Sequence, residues 1–297
     1  MKLLIIILLT FQHALGCVNS LLTRLDNIKH HKTLKINFDN TLNDSSYTLS
    51  PLNFFGIHNH FQGVYIKDNK VFLTGADKNK KQADLFIYDI KEKNTLRKKL
   101  NSTKKHWHAG SFQSYKEQLV IPIERLSDPL TSKIIQYDVT NNKTVTLFEK
   151  STNKTGALDF LNIEGKDYIV LFDPKEISIY TYPGFDLYKS FKPDFFTGSA
   201  AKVVQGCNGK TYFLNLTNDG IFPPILNNNI IDVYEFDMSS LNLTKISTKK
   251  YTCKACNFRG AVNLLVEDKF KIVSTSMYLE LFEKVLFVDI LQEHSTN

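Results

Sequence analysis

Glycine and proline are scarce, at 13 and 8 of 297 residues. That scarcity excludes a collagen-like chain. Beyond the N-terminus no apolar run approaches bilayer length, which excludes a multi-span membrane protein. Common catalytic signatures are missing too. There is no nucleophile elbow in a Ser/His/Asp order, no Gly-rich phosphate loop and no zinc-protease His-Glu-x-x-His. Nor is there an Arg-rich, aromatic-interleaved stretch of the kind that binds single-stranded nucleic acid. What is present describes a folded domain: 42% of residues are hydrophobic and 12% aromatic. Lys and Arg (37) exceed Asp and Glu (30), giving a formal charge of +7. The basic clusters at Lys91–Lys99, Lys104-Lys105 and Lys249-Lys250 fall in expected turns and outer strands, where charge solvates and protects strand edges.

The N-terminus reads as an export signal over residues 1–16. Lys2 is the positive start, Leu3 to Leu9 the apolar stretch, and Ala14-Leu15-Gly16 the small-residue cleavage site. Cys17 follows directly, where bacterial lipoproteins carry their lipidated cysteine, although Ala14 replaces the usual Leu. Lipidation of Cys17 and an ordinary N-terminal cysteine both fit. The expected location is therefore outside the cytoplasm: periplasmic, secreted or lipid-anchored at Cys17, with no transmembrane span in the mature chain.

One pattern recurs: an apolar strand, then Asp, then an aliphatic residue. It appears at Leu85–Ile90, Ile134–Val139, Val233–Met238 and Val285–Ile290, with a degenerate copy at Ile177–Tyr182. Five copies spaced by roughly 43–56 residues suit a four-stranded propeller blade. Each copy is preceded by a strand opening on small residues and then by a more apolar strand, and is followed by an alternating fourth strand. The fifth copy lacks that fourth strand. Leu34, Ile36 and Phe38 alternate with polar residues at the other end of the chain, so that segment is expected to complete the last blade and close the ring. The expectation is an all-β, five-bladed β-propeller closed by an N-terminal strand. The segments are 1–16 signal, 17–31 N-terminal segment with a short helix near Leu21–Ile28, 32–292 propeller and 293–297 tail. A β-sandwich or two small β domains is the alternative.

Loops joining fourth to first strands, and second to third strands, share one face of a propeller. Here they are long, as at Asp39–Asn59, Asp77–Ala83, Glu124–Ser132 and Asn218–Asn229, and length on one face hints at function. Histidine pairs open the first two blades: His58-Asn59-His60 and His106-Trp107-His108, 48 residues apart. Residues i and i+2 of an extended segment share a face, so all four imidazoles could point one way. The same register brings Ala157, Ala200–Ala201 and Arg259 beside His60 and His108, and Thr155, Ser199 and Asn257 beside His58 and His106. Gln62 and Asp159 sit one step further in.

Three uses of this constellation remain open. His58, His60, His106 and His108 could bind a divalent metal, with Asp159 or Glu124 completing the shell. His60, His108 and Arg259 could form a pH-tuned cationic pocket for a carboxylate, phosphate or sulfated sugar. The histidines could instead hydrogen-bond backbone groups near the axis. Paired carboxylates for glycoside hydrolysis are poorly represented on the inner strands, where Asp159 stands alone.

Cys253 and Cys256 lie in the loop entering blade five, whereas Cys207 falls in a turn on the opposite face. Pairing of Cys253 with Cys256 is expected.

With His60-Phe61-Gln62-Gly63, His108-Ala109-Gly110 and Cys256-Asn257-Phe258-Arg259-Gly260-Ala261 in view, the chain resembles uncharacterised exported bacterial β-propeller-like proteins. In those, similar His-aromatic-Gln-Gly and His-small-Gly segments open successive blades. The likeness covers roughly residues 55–280. It implies the fold and the compartment and carries over no catalytic residue. The functional expectation is a propeller that binds a small anionic molecule, a glycan or an envelope protein through His58, His60, Gln62, His106, His108, Asp159 and Arg259. The alternative is a metal-dependent or carboxylate-using hydrolase of a glycan or phosphoester. Nucleic acid is not an expected partner.

Overall fold

The structure is a computed structural model that describes residues 20–38, 61–77, 80–100, 103–194, 200–206, 209–218, 228–276 and 285–294. A short helix at 20–26 leads into β1 (Ile28–Asn37). Blade one is β2 (Phe61–Lys67), β3 (Lys70–Asp77), β4 (Gln82–Asp89) and β5 (Asn94–Lys99). Blade two is β6 (His108–Ala109), β7 (Gln113–Tyr115), β8 (Gln118–Arg125), β9 (Thr131–Asp138) and β10 (Lys143–Lys150). Blade three is β11 (Ala157–Ile163), β12 (Lys166–Asp173), β13 (Glu176–Thr181) and β14 (Leu187–Phe191). Blade four is β15 (Ala200–Gln205), β16 (Thr211–Asn218), β17 (Asn229–Asp237) and β18 (Asn242–Tyr251). Blade five is β19 (Val262–Val266), β20 (Phe270–Thr275) and β21 (Val285–Glu293), with β1 as its outer strand.

The chain is thus an all-β, five-bladed propeller, and its N-terminal strand closes the last blade. Leu34 pairs with Val288 and Ile36 with Leu286. The closing strand starts at Ile28, ahead of the expected residue 32, because a register shift between His30 and Lys32 lets the pairing continue to Glu293.

Five hydrophobic clusters fill the five interfaces between neighbouring blades. The helix adds Leu21 and Leu25 to the cluster between blades four and five. Small residues open the inner strands because the blades converge there. A Cβ on Gly63 would lie 2.6 Å from the Phe112 ring, and one on Gly110 would lie 2.3 Å from the Gly156 carbonyl oxygen. The axis itself is crossed by side chains. Gln113 of blade two donates to Asn263 of blade five at 3.0 Å, and Asn263 Nδ2 lies 3.4 Å from Gln113 Oε1 in return.

In three blades the repeat's aspartate caps the turn into the fourth strand. Asp89 accepts the Lys91 and Glu92 N–H groups, and Asp138 those of Thr140 and Asn141. Asp237 accepts the Ser239 N–H and the Ser239 and Ser240 hydroxyls. These contacts hold all three carboxyls below the ordinary carboxylate range.

The fifth copy corrects the repeat reading. Lys70 faces Asp89 at the end of its strand, whereas in blade five the pairing runs on past Asp289 to Lys271 opposite Gln292, and β21 ends at Glu293. Asp289 therefore lies four residues inside the strand, facing Ser274. Its counterparts in the other blades are Leu85, Ile134, Ile179 and Val233, all fully buried aliphatics.

Candidate functional site

Among the described residues, the ends of the second and fourth strands and the starts of the first and third strands lie on one face, here called the site face. His108 enters from β6, whose pairing with β8 sets it opposite Glu124. The Gln62 amide nitrogen lies 2.9 Å from His108 Nε2, and His108 Nδ1 lies 2.8 Å from Glu124 Oε2. With the amide as donor, Nε2 accepts and the Nδ1–H donates to the carboxylate, so one tautomer is selected. The chain of contacts joins blade one to blade two around a largely buried imidazole.

His106 does not share that environment. Its Nε2 lies 2.8 Å from Thr131 Oγ1, and it lines a small cavity of about 130 Å³ with Leu100, Ile123 and Ile135. Burial pushes its pKa down, and the Lys133 cation adds to the effect. The i, i+2 expectation of a common direction fails for this pair. Trp107, between them, is itself buried and donates its N–H to the Glu124 carbonyl. The segment is a crossing from one blade to the next, not a continuous strand. His58 and His60 lie outside the described residues, as do Ser199, Cys17 and Cys207.

Asp159 is not presented to the site face. It is fully buried, pairs with Lys202 Nζ at 2.8 Å and accepts the Val203 N–H at 2.6 Å. It ties the inner strand of blade three to that of blade four. Arg259, by contrast, is exposed. Its Nε donates to the Asn218 carbonyl at 3.3 Å, and its own N–H is held by the Asn257 side chain at 2.9 Å. Among the described residues no carboxylate pairs with its guanidinium.

Among the described residues, one group of three side chains could hold a metal, and it contains no histidine: Cys253, Cys256 and Asp289. The two cysteines are joined as a disulfide, with Cα atoms 5.7 Å apart. The Asp289 carboxylate is engaged by the Ala255 and Cys256 N–H groups. For a metal on His58, His60, His106 and His108, the two described members offer a poor start. Both nitrogens of His108 are engaged, and His106 points elsewhere.

No protein-family model and no curated protein matches the chain. Solved structures do resemble it. The GH43_1 enzyme from Xanthomonas citri complexed with xylose is 8% identical, with 79% of this chain and 87% of that chain covered and a TM-score of 0.49. A GH43 beta-xylosidase/alpha-arabinofuranosidase from a compost microbial metagenome is 9% identical, with 74% and 86% covered and a TM-score of 0.48. An auxiliary nutrient binding protein from Bacteroides thetaiotaomicron is 9% identical, with 89% and 77% covered and a TM-score of 0.46. Likeness at this level assigns no role to any residue here.

The structure adds site-face residues that the repeat reading placed on second strands or passed over. β8 ends near Glu124, β12 at Asp173 and β16 at Asn218, and all three are buried. Burial holds the Asp173 carboxyl above the ordinary range, and the Glu176 and then the Glu124 charge add to it. Lys150, at the end of β10, is a buried cation 3.4 Å from both Glu176 and Ser178. A signal for these residues exists in the sequence: polar or acidic side chains recur where successive apolar second strands end.

Proposed function

We propose that this chain is an exported binding propeller that holds a small anionic ligand, a carboxylate or a phosphate, on its site face. The observation that carries the reading is Arg259, an exposed guanidinium fixed through its Nε on the Asn218 carbonyl and without an acidic partner among the described residues. A guanidinium fixed in this way suits bidentate recognition of an anion. Gln62, locked onto His108, supplies a second fixed polar group, and the largely buried His108 lies beside it. Export through residues 1–16 fits the Cys253–Cys256 disulfide, which an oxidising compartment favours. Among the described residues no helix is long and apolar enough to cross a membrane.

The test is a titration of the purified mature chain with citrate, inorganic phosphate and glucose 6-phosphate, followed by calorimetry and thermal shift. Binding of one of these, weakened at least about tenfold in Arg259→Ala, supports the reading. Binding unchanged by that substitution, or none at all, overturns it.

A second reading rests on Asp173 and Glu124. Burial raises the Asp173 carboxyl, which suits a general acid, and Glu124 is a second buried carboxyl on the same face. It predicts turnover of chromogenic glycosides or phosphoesters that Asp173→Asn abolishes.

A further inference from the structure

The interface between blades two and three differs from the other four. Among the described residues, six buried side chains form its hydrophobic cluster: Val120, Ile134, Leu158, Ile169, Leu171 and Tyr180. The other interfaces hold twelve to eighteen. At the face opposite the site face, aromatic rings continue this interface outward. Tyr115 stacks on Phe160 with ring centroids 4.5 Å apart, and Tyr182 meets both edge-on at 4.8 and 5.1 Å. Beside these rings opens a cleft of about 360 Å³, lined by Tyr115, Lys116, Gln118, Gln136, Asp167 and Tyr182, with Pro183 at its edge.

The polar groups of the cleft are set by the strands. Gln118 faces Asp138 and Gln136 faces Val120, so the two glutamines are diagonal neighbours on one side of blade two. Val120 and Ile134 on that same side are buried against blade three, and the glutamines continue the surface into solvent. Across the cleft, Asp167 of blade three accepts the Tyr115 hydroxyl and the Asn162 amide. Those two bonds hold its carboxyl below the ordinary range.

We propose that this cleft is a second binding site, separate from the Arg259 face, and that its ligand is a neutral saccharide of one or two rings. A sugar ring combines an apolar C–H face with adjacent hydroxyls that donate and accept together. The Tyr182 ring supplies the apolar wall, beside a Tyr115 ring that is stacked on Phe160 and covered by the Lys116 ammonium 5.0 Å from its centroid. Each glutamine offers a donor and an acceptor in one plane, Asp167 accepts, and Lys116 donates. One carboxylate and one ammonium oppose each other in the lining, so a charged ligand of either sign would meet a like charge. The volume lies at the small end of ligand-site sizes, which matches a short saccharide and not an extended polymer surface.

The experiment is ligand-observed saturation-transfer NMR on the mature chain. The probes are glucose, galactose, mannose, xylose, N-acetylglucosamine and their β-linked disaccharides. Hits are then titrated against Gln118→Ala/Gln136→Ala and Arg259→Ala. The glutamines are partly exposed, so the double variant is expected to melt as the wild type does. The expected result is a hit weakened at least about tenfold by the double variant and unchanged by Arg259→Ala. No hit from the set overturns the proposal, as does a hit that survives the double variant. A hit lost in Arg259→Ala places the sugar on the site face and overturns it as well.

Discussion

Thr33 and Asp289 hold the seam of the ring together: they are register partners across β1 and β21, and the threonine hydroxyl donates to the aspartate. The other oxygen of Asp289 accepts the Ala255 and Cys256 N–H groups at 2.7 and 3.0 Å. One fully buried carboxylate therefore joins the closing strand, the third strand of blade five and the disulfide loop. The aliphatic residues at the matching positions of the other blades need no such link, because their outer strands follow directly in the chain.

Asp289→Ala is expected to lower unfolding stability by about 3 kcal/mol or more, since it strands two N–H groups and a hydroxyl in the interior. Thr33→Val removes one donor and is expected to cost about 1 kcal/mol. Urea midpoints measured for both variants at one pH check this. An Asp289→Ala loss no larger than that of Thr33→Val would show that the carboxylate does not act as the shared anchor.

A methyl group at Gly110 would stand 2.3 Å from a backbone carbonyl oxygen, closer than packed atoms approach, and 3.1 Å from Pro122. Removing a glycine from the unfolded chain gains about 0.4–1 kcal/mol. Overpacking between two inner strands costs about 1–3 kcal/mol, so the steric effect wins. Gly110→Ala is expected to be destabilising and Gly165→Asn nearly neutral. Gly165 has φ +79° with open space around its Cβ, and asparagine tolerates that conformation. Thermal melts of the two variants rank them.

The amide pair on the axis invites a double-mutant cycle. Gln113 and Asn263 come from blades that are not neighbours in the ring, and they bond to each other at 3.0 Å. Truncating either to alanine leaves the other amide buried with fewer partners, at about 1–3 kcal/mol. The double variant is expected to fall short of the summed losses by about 0.5–3 kcal/mol. Strict additivity would mean that the two side chains do not bond across the axis.

Much of the architecture was legible in the chain because a propeller repeats its local rules. The turn-capping aspartates Asp89, Asp138 and Asp237, the small openings at Gly63 and Gly110, and the alternation of Leu34, Ile36 and Phe38 are each local or pairwise signals. The site was less legible. Asp159 stands alone among inner-strand carboxylates in the sequence, but Lys202 is the third residue of the next blade's inner strand, and only the ring brings the two side chains together. His106 and His108 have the i, i+2 spacing of one extended face, yet the chain crosses between blades there and sends them to different partners. Asp289 matched the repeat in sequence while lying four residues out of register, because blade five borrows its outer strand from the other end of the chain.

The buried His106 gives stability a defined pH dependence. Its pKa is pushed down by burial, and in the unfolded chain it returns to about 6.5. Between the two values the unfolded state binds more protons than the folded one, so stability rises with pH through that interval. The contribution is fully present above about pH 6.5 and is lost as the pH falls towards the folded-state value. The capping carboxyls Asp89, Asp138 and Asp237, held low, lose their contribution only at more acidic pH. His106→Gln keeps a group that can bond Thr131 and removes the titration. The wild-type urea midpoint minus that of the variant, measured at pH 5, 6, 7 and 8, is therefore expected to fall as the pH drops from 7 to 5 and to hold level between pH 7 and 8. Parallel curves across that range would show that His106 is not the titrating group.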